Sequence, residues 1–170
     1  MEKWKKLIRN IPDFPQKGII FRDITPLLRN GKAFQSVVNR LAKACPAETE
    51  MVAGIEARGF IFAAAVANRL GVGFVPIRKT GKLPHRTEKV TYDLEYGTDT
   101  LEVHQDSLLR KKNVVLIDDL LATGGTAAAA FRLLEKIGGR VLKAVFLIEL
   151  VNLKGREKIP ACDVSTLIRF

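Results

Sequence analysis

The sequence predicts an α/β fold: a single domain, mostly parallel sheet flanked by helices. Three observations predict it. Apolar runs of four to five residues recur at Met51–Ile55, 74–77, 114–117, 145–148 and 164–168, the length and character of buried strands. Stretches with helical apolar spacing lie between several of these runs. The 170 residues, 47% hydrophobic and 27% charged, suffice for one core and leave little room for a second domain. Strands apolar on both sides and alternating with helices indicate a parallel sheet covered on both faces.

Each element follows from its own pattern. Trp4, Leu7, Ile8 and Ile11 fall at i, i+3, i+4 and i+7, which predicts a first helix stopped by Pro12. Residues 12–18 carry two prolines and a glycine and predict coil with turns. Phe34, Val37, Val38 and Leu41 repeat the helical stripe and end before Pro46. The strand Met51–Ile55 leads through the loop Glu56-Ala57-Arg58-Gly59 to an Ala-rich buried helix over 60–70, stopped by Gly71. A second strand covers 74–77. From 79 to 104, Tyr92, Leu94 and Tyr96 alternate, as do Leu101 and Val103, around Gly97-Thr98-Asp99. This predicts a two-stranded excursion lying over the domain rather than in its core. The strand at 114–117 is followed by a helix over 127–137 closed by Gly138-Gly139, then by strands at 145–148 and 164–168.

Several function classes are excluded. The longest apolar stretch, 60–67, is far below the roughly 20 residues of a membrane span. The opening Met1-Glu2-Lys3-Trp4-Lys5-Lys6 is not a signal sequence, and the expectation is a cytoplasmic protein. Cys45, Cys162, His85 and His104 make neither a disulfide framework nor a zinc site. The 28 Lys and Arg against 18 Asp and Glu give a net charge of +10, which favours anionic partners. These charges are scattered, as in a solubility coat, with no basic run interleaved with aromatics. Phosphorylated small molecules are therefore favoured over nucleic acid.

The chemistry concentrates in Val114-Val115-Leu116-Ile117-Asp118-Asp119-Leu120-Leu121-Ala122-Thr123-Gly124-Gly125-Thr126. A buried strand ends in two carboxylates, and a small-residue loop opens a helix. Ligands of open α/β sheets bind beyond the carboxyl ends of strands. A helix N-terminus suits a phosphate, and glycines let backbone approach it closely. The paired carboxylates suit sugar hydroxyls, directly or with magnesium nearby. Acid pair and Gly-Gly are each common turn chemistry alone; their fixed order is not. The chain has no Gly-x-x-x-x-Gly-Lys-Ser/Thr loop, and Gly71-Val72-Gly73 precedes a strand, so both familiar nucleotide fingerprints fail.

In this block the sequence resembles the type I phosphoribosyltransferases and their binding motif for phosphoribosyl pyrophosphate (PRPP). Further segments narrow the resemblance to members that use adenine. These are Ile11-Pro12-Asp13-Phe14-Pro15, residues 18–28, Gly54-Ile55-Glu56-Ala57-Arg58-Gly59-Phe60, residues 78–84, residues 92–98, and Leu153-Lys154-Gly155-Arg156-Glu157-Lys158. They keep the family's order over nearly the whole chain. Two departures are Arg110-Lys111-Lys112-Asn113, where relatives commonly carry a Pro-Gly turn, and Thr80, where many carry Lys, Arg or another residue.

The resemblance implies a base-binding hood in residues 1–30 and a flexible catalytic loop over 79–104. It implies the reaction of adenine with PRPP to give AMP and pyrophosphate. Magnesium would be held mainly by PRPP or pyrophosphate, with no direct protein ligand. Ala122, Thr123, Gly124, Gly125 and Thr126 would cradle the 5′-phosphate, and Asp118 and Asp119 would hold the ribose hydroxyls. Ala57 and Arg58, after a cis peptide at Glu56-Ala57, would face pyrophosphate, with Lys79 and Lys82 as further contacts. Ile20, Phe21 and Arg22 would hold adenine, Glu95 would meet its N7, and Tyr96 would seal the site. A homodimer is implied as well. Two alternatives stay open: another purine base, and a PRPP-sensing regulator that binds nucleic acid.

Overall fold

The computed structural model describes residues 2–93, 97–159 and 162–170. The chain opens with one turn of helix, α1 (Glu2–Lys5), and an antiparallel pair, β1 (Arg9–Pro12) and β2 (Ile20–Asp23). Helices α2 (Thr25–Arg29) and α3 (Gly31–Ala44) lead into β3 (Met51–Ile55), α4 (Arg58–Leu70) and β4 (Gly73–Lys79). A hairpin of β5 (Thr87–Asp93) and β6 (Thr98–His104) follows. Then come β7 (Lys112–Leu121), α5 (Gly125–Lys136) and β8 (Gly139–Glu149). Two 3₁₀ turns (Val151–Leu153 and Gly155–Lys158) precede β9 (Asp163–Arg169).

The main sheet has seven strands in the order β5-β6-β4-β3-β7-β8-β9. The five from β4 to β9 run parallel, and β6 and β5 add an antiparallel edge. Alternation along β7 divides the core between the two faces. Val115 and Ile117 pack with Phe62 and Val66 of α4 and Val37 and Leu41 of α3. Val114 and Leu116 pack with Ala130, Phe131 and Leu134 of α5. The sheet is covered on both sides, as the strand patterns predict.

This topology places the site. β3 crosses through α4 to β4 on one side, while β7 crosses through α5 to β8 on the other. The neighbours β3 and β7 therefore straddle a switch point, where a crevice opens at the carboxyl ends of strands. The β3–β7 ladder stops at Gly54 opposite Ile117, but β7 goes on pairing with β8 as far as Leu121 opposite Glu149. From Asp118 onward one edge of β7 faces that crevice.

Four sequence expectations are corrected. The first helix does not run to Pro12. Trp4 and Ile8 are buried, but Ile11 lies in β1 opposite Phe21, because pairing with β2 captures residues 9–12. The 87–104 hairpin does not lie over the core: β6 hydrogen-bonds to β4, and Val90, Tyr92, Leu101 and Val103 are buried in the core under α5. α4 begins at Arg58, not Phe60, so the preceding loop is only Glu56-Ala57. β7 continues through the acid pair, held by β8, so the carboxylates lie within the strand and not past its end. Gly71 ends α4 at φ 70°, as expected of a left-handed cap. Among the described residues no helix is long and apolar enough to cross a membrane.

Candidate active site

Asp118 and Asp119 start the site. Strand pleating turns successive side chains to opposite faces, yet here the two carboxylates are coupled. The Asp119 N–H donates to Asp118 Oδ1 at 2.9 Å. α4 begins directly over Asp118, and glycine at 59 leaves room for its carboxyl: a Cβ there would overlap Asp118 Oδ1 and force it to shift. Arg58, the first residue of the same helix, places Nε 2.9 Å from Asp119 Oδ2. The N–H is not aimed at that oxygen, which is buried and makes no hydrogen bond. The contact is an ion pair with acceptor capacity to spare.

Burial pushes the Asp118 carboxyl well above the usual carboxylate range, and the charge of Asp119 pushes it further. Burial also raises Asp119, but Arg58 opposes the shift there. Both carboxyls of the pair are thus raised by their shared burial. The arrangement leaves a ready acceptor for hydroxyl groups beside a cation.

Beyond the acids the backbone forms an anion cradle. Gly124, at φ 82°, caps α5 in a conformation that side chains other than glycine's rarely adopt. The first turn of α5 holds no acidic residue, so its free N–H groups and dipole face an undiminished positive end. A cavity of about 220 Å³ lies between this turn and the acid pair, with Arg58 in its wall. Ala122, Thr123, Gly124 and Thr126 line the same cavity, and Gly125 is the first residue of the helix. Thr126 Oγ1 donates to the Tyr92 hydroxyl at 3.2 Å, tying the cradle to the hairpin.

The second 3₁₀ turn presses on this loop. A Cβ on Gly155 would overlap the Ala122 carbonyl oxygen, and a Cβ on Gly124 would overlap that of Gly155. Arg156 next to it is held by Glu149 through two hydrogen bonds, at 2.5 and 2.9 Å. The sequence offered Gly155 only as part of a family-like segment. Its role depends on a contact across more than thirty residues of chain, which local spacing does not reveal.

The residues expected to hold the base converge through Arg58. Its guanidinium lies 4.8 Å from the centre of the Phe21 ring, and Nη1 is 3.5 Å from the Arg22 carbonyl oxygen. Phe14 meets Phe21 edge-on at 5.1 Å, and Ile20 is half exposed. The Arg22 side chain takes another course, donating to Asn10 Oδ1 and stacking on Phe170.

Ala57 follows a cis peptide at Glu56–Ala57 and caps α4. Glu56 accepts from the Lys79 N–H at 2.6 Å and from Arg78 at 3.0 Å, a link sequence reasoning missed. Lys79 Nζ rests 3.1 Å from Asp99, whose hydrogen bond and charge raise the lysine's pKa. Lys82 is exposed, and its N–H donates to the buried Glu102. Glu95 and Tyr96 lie outside the described residues.

Among the described residues no three His, Cys, Asp or Glu side chains converge as a metal cage. Two carboxylates supply fewer oxygens than the six an octahedral magnesium ion takes. They fit an ion that brings most of its ligands as phosphate, hydroxyl and water oxygens.

The model of the phosphoribosyl transferase domain family matches residues 27–169. An adenine phosphoribosyltransferase from Thermoanaerobacter sp. (strain X514) is 53% identical over 171 residues, covering 100% of this chain and 99% of the relative. The crystal structure of the adenine phosphoribosyltransferase from Thermoanaerobacter pseudethanolicus superposes with a TM-score of 0.96 at 53% identity, over 99% of each chain. That of the Saccharomyces cerevisiae adenine phosphoribosyltransferase, complexed with an imino-altritol bisphosphate and adenine, gives 0.92 at 41% identity, over 98% of this chain and 97% of that one.

Proposed function

This chain belongs to the phosphoribosyl transferase domain family, among its adenine phosphoribosyltransferases, and from that premise we propose how its site works. It transfers the 5-phosphoribosyl group of PRPP to N9 of adenine, giving AMP and pyrophosphate. The observation that supports this most is the single cavity shared by the acid pair, the Gly124-capped helix end and Arg58. One end suits a phosphate, the middle suits ribose hydroxyls, and Arg58 reaches toward the base-side residues.

The first turn of α5, with Thr123 and Thr126, binds the 5′-phosphate. Asp118 and Asp119 accept hydrogen bonds from the ribose hydroxyls, and their charge favours the oxocarbenium-like transition state. As the bond from C1 to the pyrophosphate oxygen breaks, the adenine N9 lone pair forms the new bond to C1. The electron pair of the broken bond leaves on pyrophosphate. Magnesium, when bound, would be held mainly by substrate oxygens beside Asp118 and Asp119 and would supply positive charge to the leaving diphosphate. Arg58 exchanges its contact with Asp119 for the pyrophosphate, joined by Lys79 and Lys82 and by the backbone at Ala57. Ile20, Phe21 and Arg22 hold the base, with Phe21 supplying a stacking face. Adenine that reacts through a free N9 lone pair carries its proton on N7; Glu95 shares that proton and takes it as the N9–C1 bond forms and density leaves the ring, and Tyr96 closes the site. No nucleophilic side chain is needed; positioning and exclusion of water carry the rate.

The working form is a cytoplasmic homodimer. The exposed Ile61 beside the site on α4 is consistent with a paired surface. A panel of purine bases with PRPP and magnesium, read as nucleotide formed, tests the assignment. Adenine should be turned over far better than guanine, hypoxanthine or xanthine; preference for any of these overturns the base assignment.

A further inference from the structure

β1 and β2 form a two-stranded sheet, too small to be stable alone, so its placement depends on ties to the main domain. The tie at Arg22 is unusual. Its guanidinium carbon lies 4.0 Å from the centre of the Phe170 ring. Nη1 donates to Asn10 Oδ1 on β1, while Nε is buried without a hydrogen-bond partner. The ring face is what that buried part of the guanidinium has in place of a polar partner.

Phe170 is itself fixed. Its N–H donates to the Glu149 carbonyl at 3.0 Å, and its own carbonyl accepts from the Val151 N–H at 3.0 Å. Glu149 is locked in turn by Arg156, Thr166 and Arg169. Lys5 Nζ takes a second cation–π position 4.5 Å from the Phe170 ring and donates to the Arg169 carbonyl at 2.7 Å. The ring is thus bolted to the end of the central sheet.

From this ring a line of contacts runs to the acid pair. Arg22 rests on Phe170, the Arg22 carbonyl receives Arg58, and Arg58 lies over Phe21 and pairs with Asp119. We propose that Phe170 is a positioning residue for the base site. Its ring is the platform that sets Arg22, and through Arg22 the strand β2, against Arg58. This rests on the reading of β2 as the adenine-holding strand. Phe170 touches no substrate; it acts through Arg22. Losing the ring exposes the guanidinium to water, frees it to rotate, and lets β2 drift relative to the ribose end.

The test compares Phe170→Leu, which keeps apolar volume without a π face, with Phe170→Tyr, which keeps the face. Arg22→Met reaches the same contact from the other side. Phe170→Leu should raise the adenine KM about three- to tenfold, as loss of a partly desolvated cation–π contact implies, while the PRPP KM stays within about twofold. Phe170→Tyr should retain the wild-type adenine KM. Phe170→Leu combined with Arg22→Met should be no worse than Arg22→Met alone. Equal changes in both KM values, failure of Tyr to rescue, or additive effects would overturn the proposal. Amide exchange provides a readout independent of turnover. Residues 9–12 and 20–23 should exchange faster in Phe170→Leu, with β7 and β8 unchanged; unchanged exchange there removes the platform. If wild-type protein fails to use adenine, the base assignment falls, and exchange still judges the Arg22–Phe170 contact.

Discussion

From Asp118 to Thr126 the site is one uninterrupted piece of chain, anchored in the middle of a seven-stranded sheet and wrapped around the N-terminus of α5. The proposed base side is assembled differently. It gathers Phe21 and Arg22 from a two-stranded hood, Arg58 from the start of α4, and Phe170 from beyond β9. On the first side backbone groups and glycines do most of the work, and little can move. On the second, exposed side chains such as Phe14 and Ile20 carry it. In the proposed reading, charge on phosphate is recognised by a fixed frame, whereas a flat neutral base is held by aromatic and cationic faces set by remote ties. Among the described residues, the two halves meet at Arg58.

The comparison is broken hardest at the ribose. Asp118→Asn with Asp119→Asn removes both charges from the fixed side while keeping side-chain size. AMP formation should fall by at least about 10²-fold, on the scale of removing a preorganised electrostatic partner. Circular dichroism should still report the native fold. Turnover near wild type would detach the acid pair from the reaction.

A smaller effect should separate the halves. Gly155→Ala drives a methyl group into the Ala122 carbonyl, so the phosphate loop must shift. Overpacking of this kind costs about 1–3 kcal/mol of stability. The PRPP KM should rise about tenfold or more, because small displacements of a positioning loop are costly. The adenine KM should change little, the reverse of the pattern expected for Phe170→Leu. Equal effects on both substrates would mean that the site behaves as one unit.

The same contrast decides what was legible in the sequence. Met51–Ile55 was readable to the residue, because a buried strand bounded by Glu50 and a Glu-Ala loop has sharp polar edges. The cavity lined by the acid pair and the start of α5 was readable because strand, acids, glycines and helix are contiguous. The length of β7 was not, since pairing with β8 draws in polar residues that look like a loop. The first helix was misread because Ile11 satisfies a helical stripe and also a strand opposite Phe21; only the long-range partner decides between them. Gly59, Glu56, Gly155 and Phe170 carry no local signal. Each matters through an atom far along the chain: Asp118, Arg78, Ala122 and Arg22 respectively.

The smallest effect sharpens the account of the fixed side by asking what its rigidity costs. Asp118 has its pKa raised in the folded protein, chiefly by burial and then by Asp119. Between the ordinary carboxylate pKa near 3.9 and the raised folded value, the native state holds a proton that the unfolded chain has lost. The contribution of this group to stability is therefore fully present below about pH 4 and is lost as pH rises through the folded value. Asp118→Asn cannot lose a proton, and its amide oxygen can still accept the Asp119 N–H. The variant should be more stable than wild type at neutral pH, by about 2–4 °C in Tm for each 1 kcal/mol recovered. The advantage should shrink on acidification toward pH 4. The wild-type curve alone will not reveal this. Asp23, Glu50, Glu102 and Glu149 have lowered pKa values and lose their stabilisation as pH falls, which is the opposite sign. The difference between variant and wild type cancels those groups and isolates the acid pair. A difference that stays flat between pH 4 and 8 would mean that Arg58 fully compensates the buried pair, and that holding two carboxylates at the ribose site carries no penalty in stability.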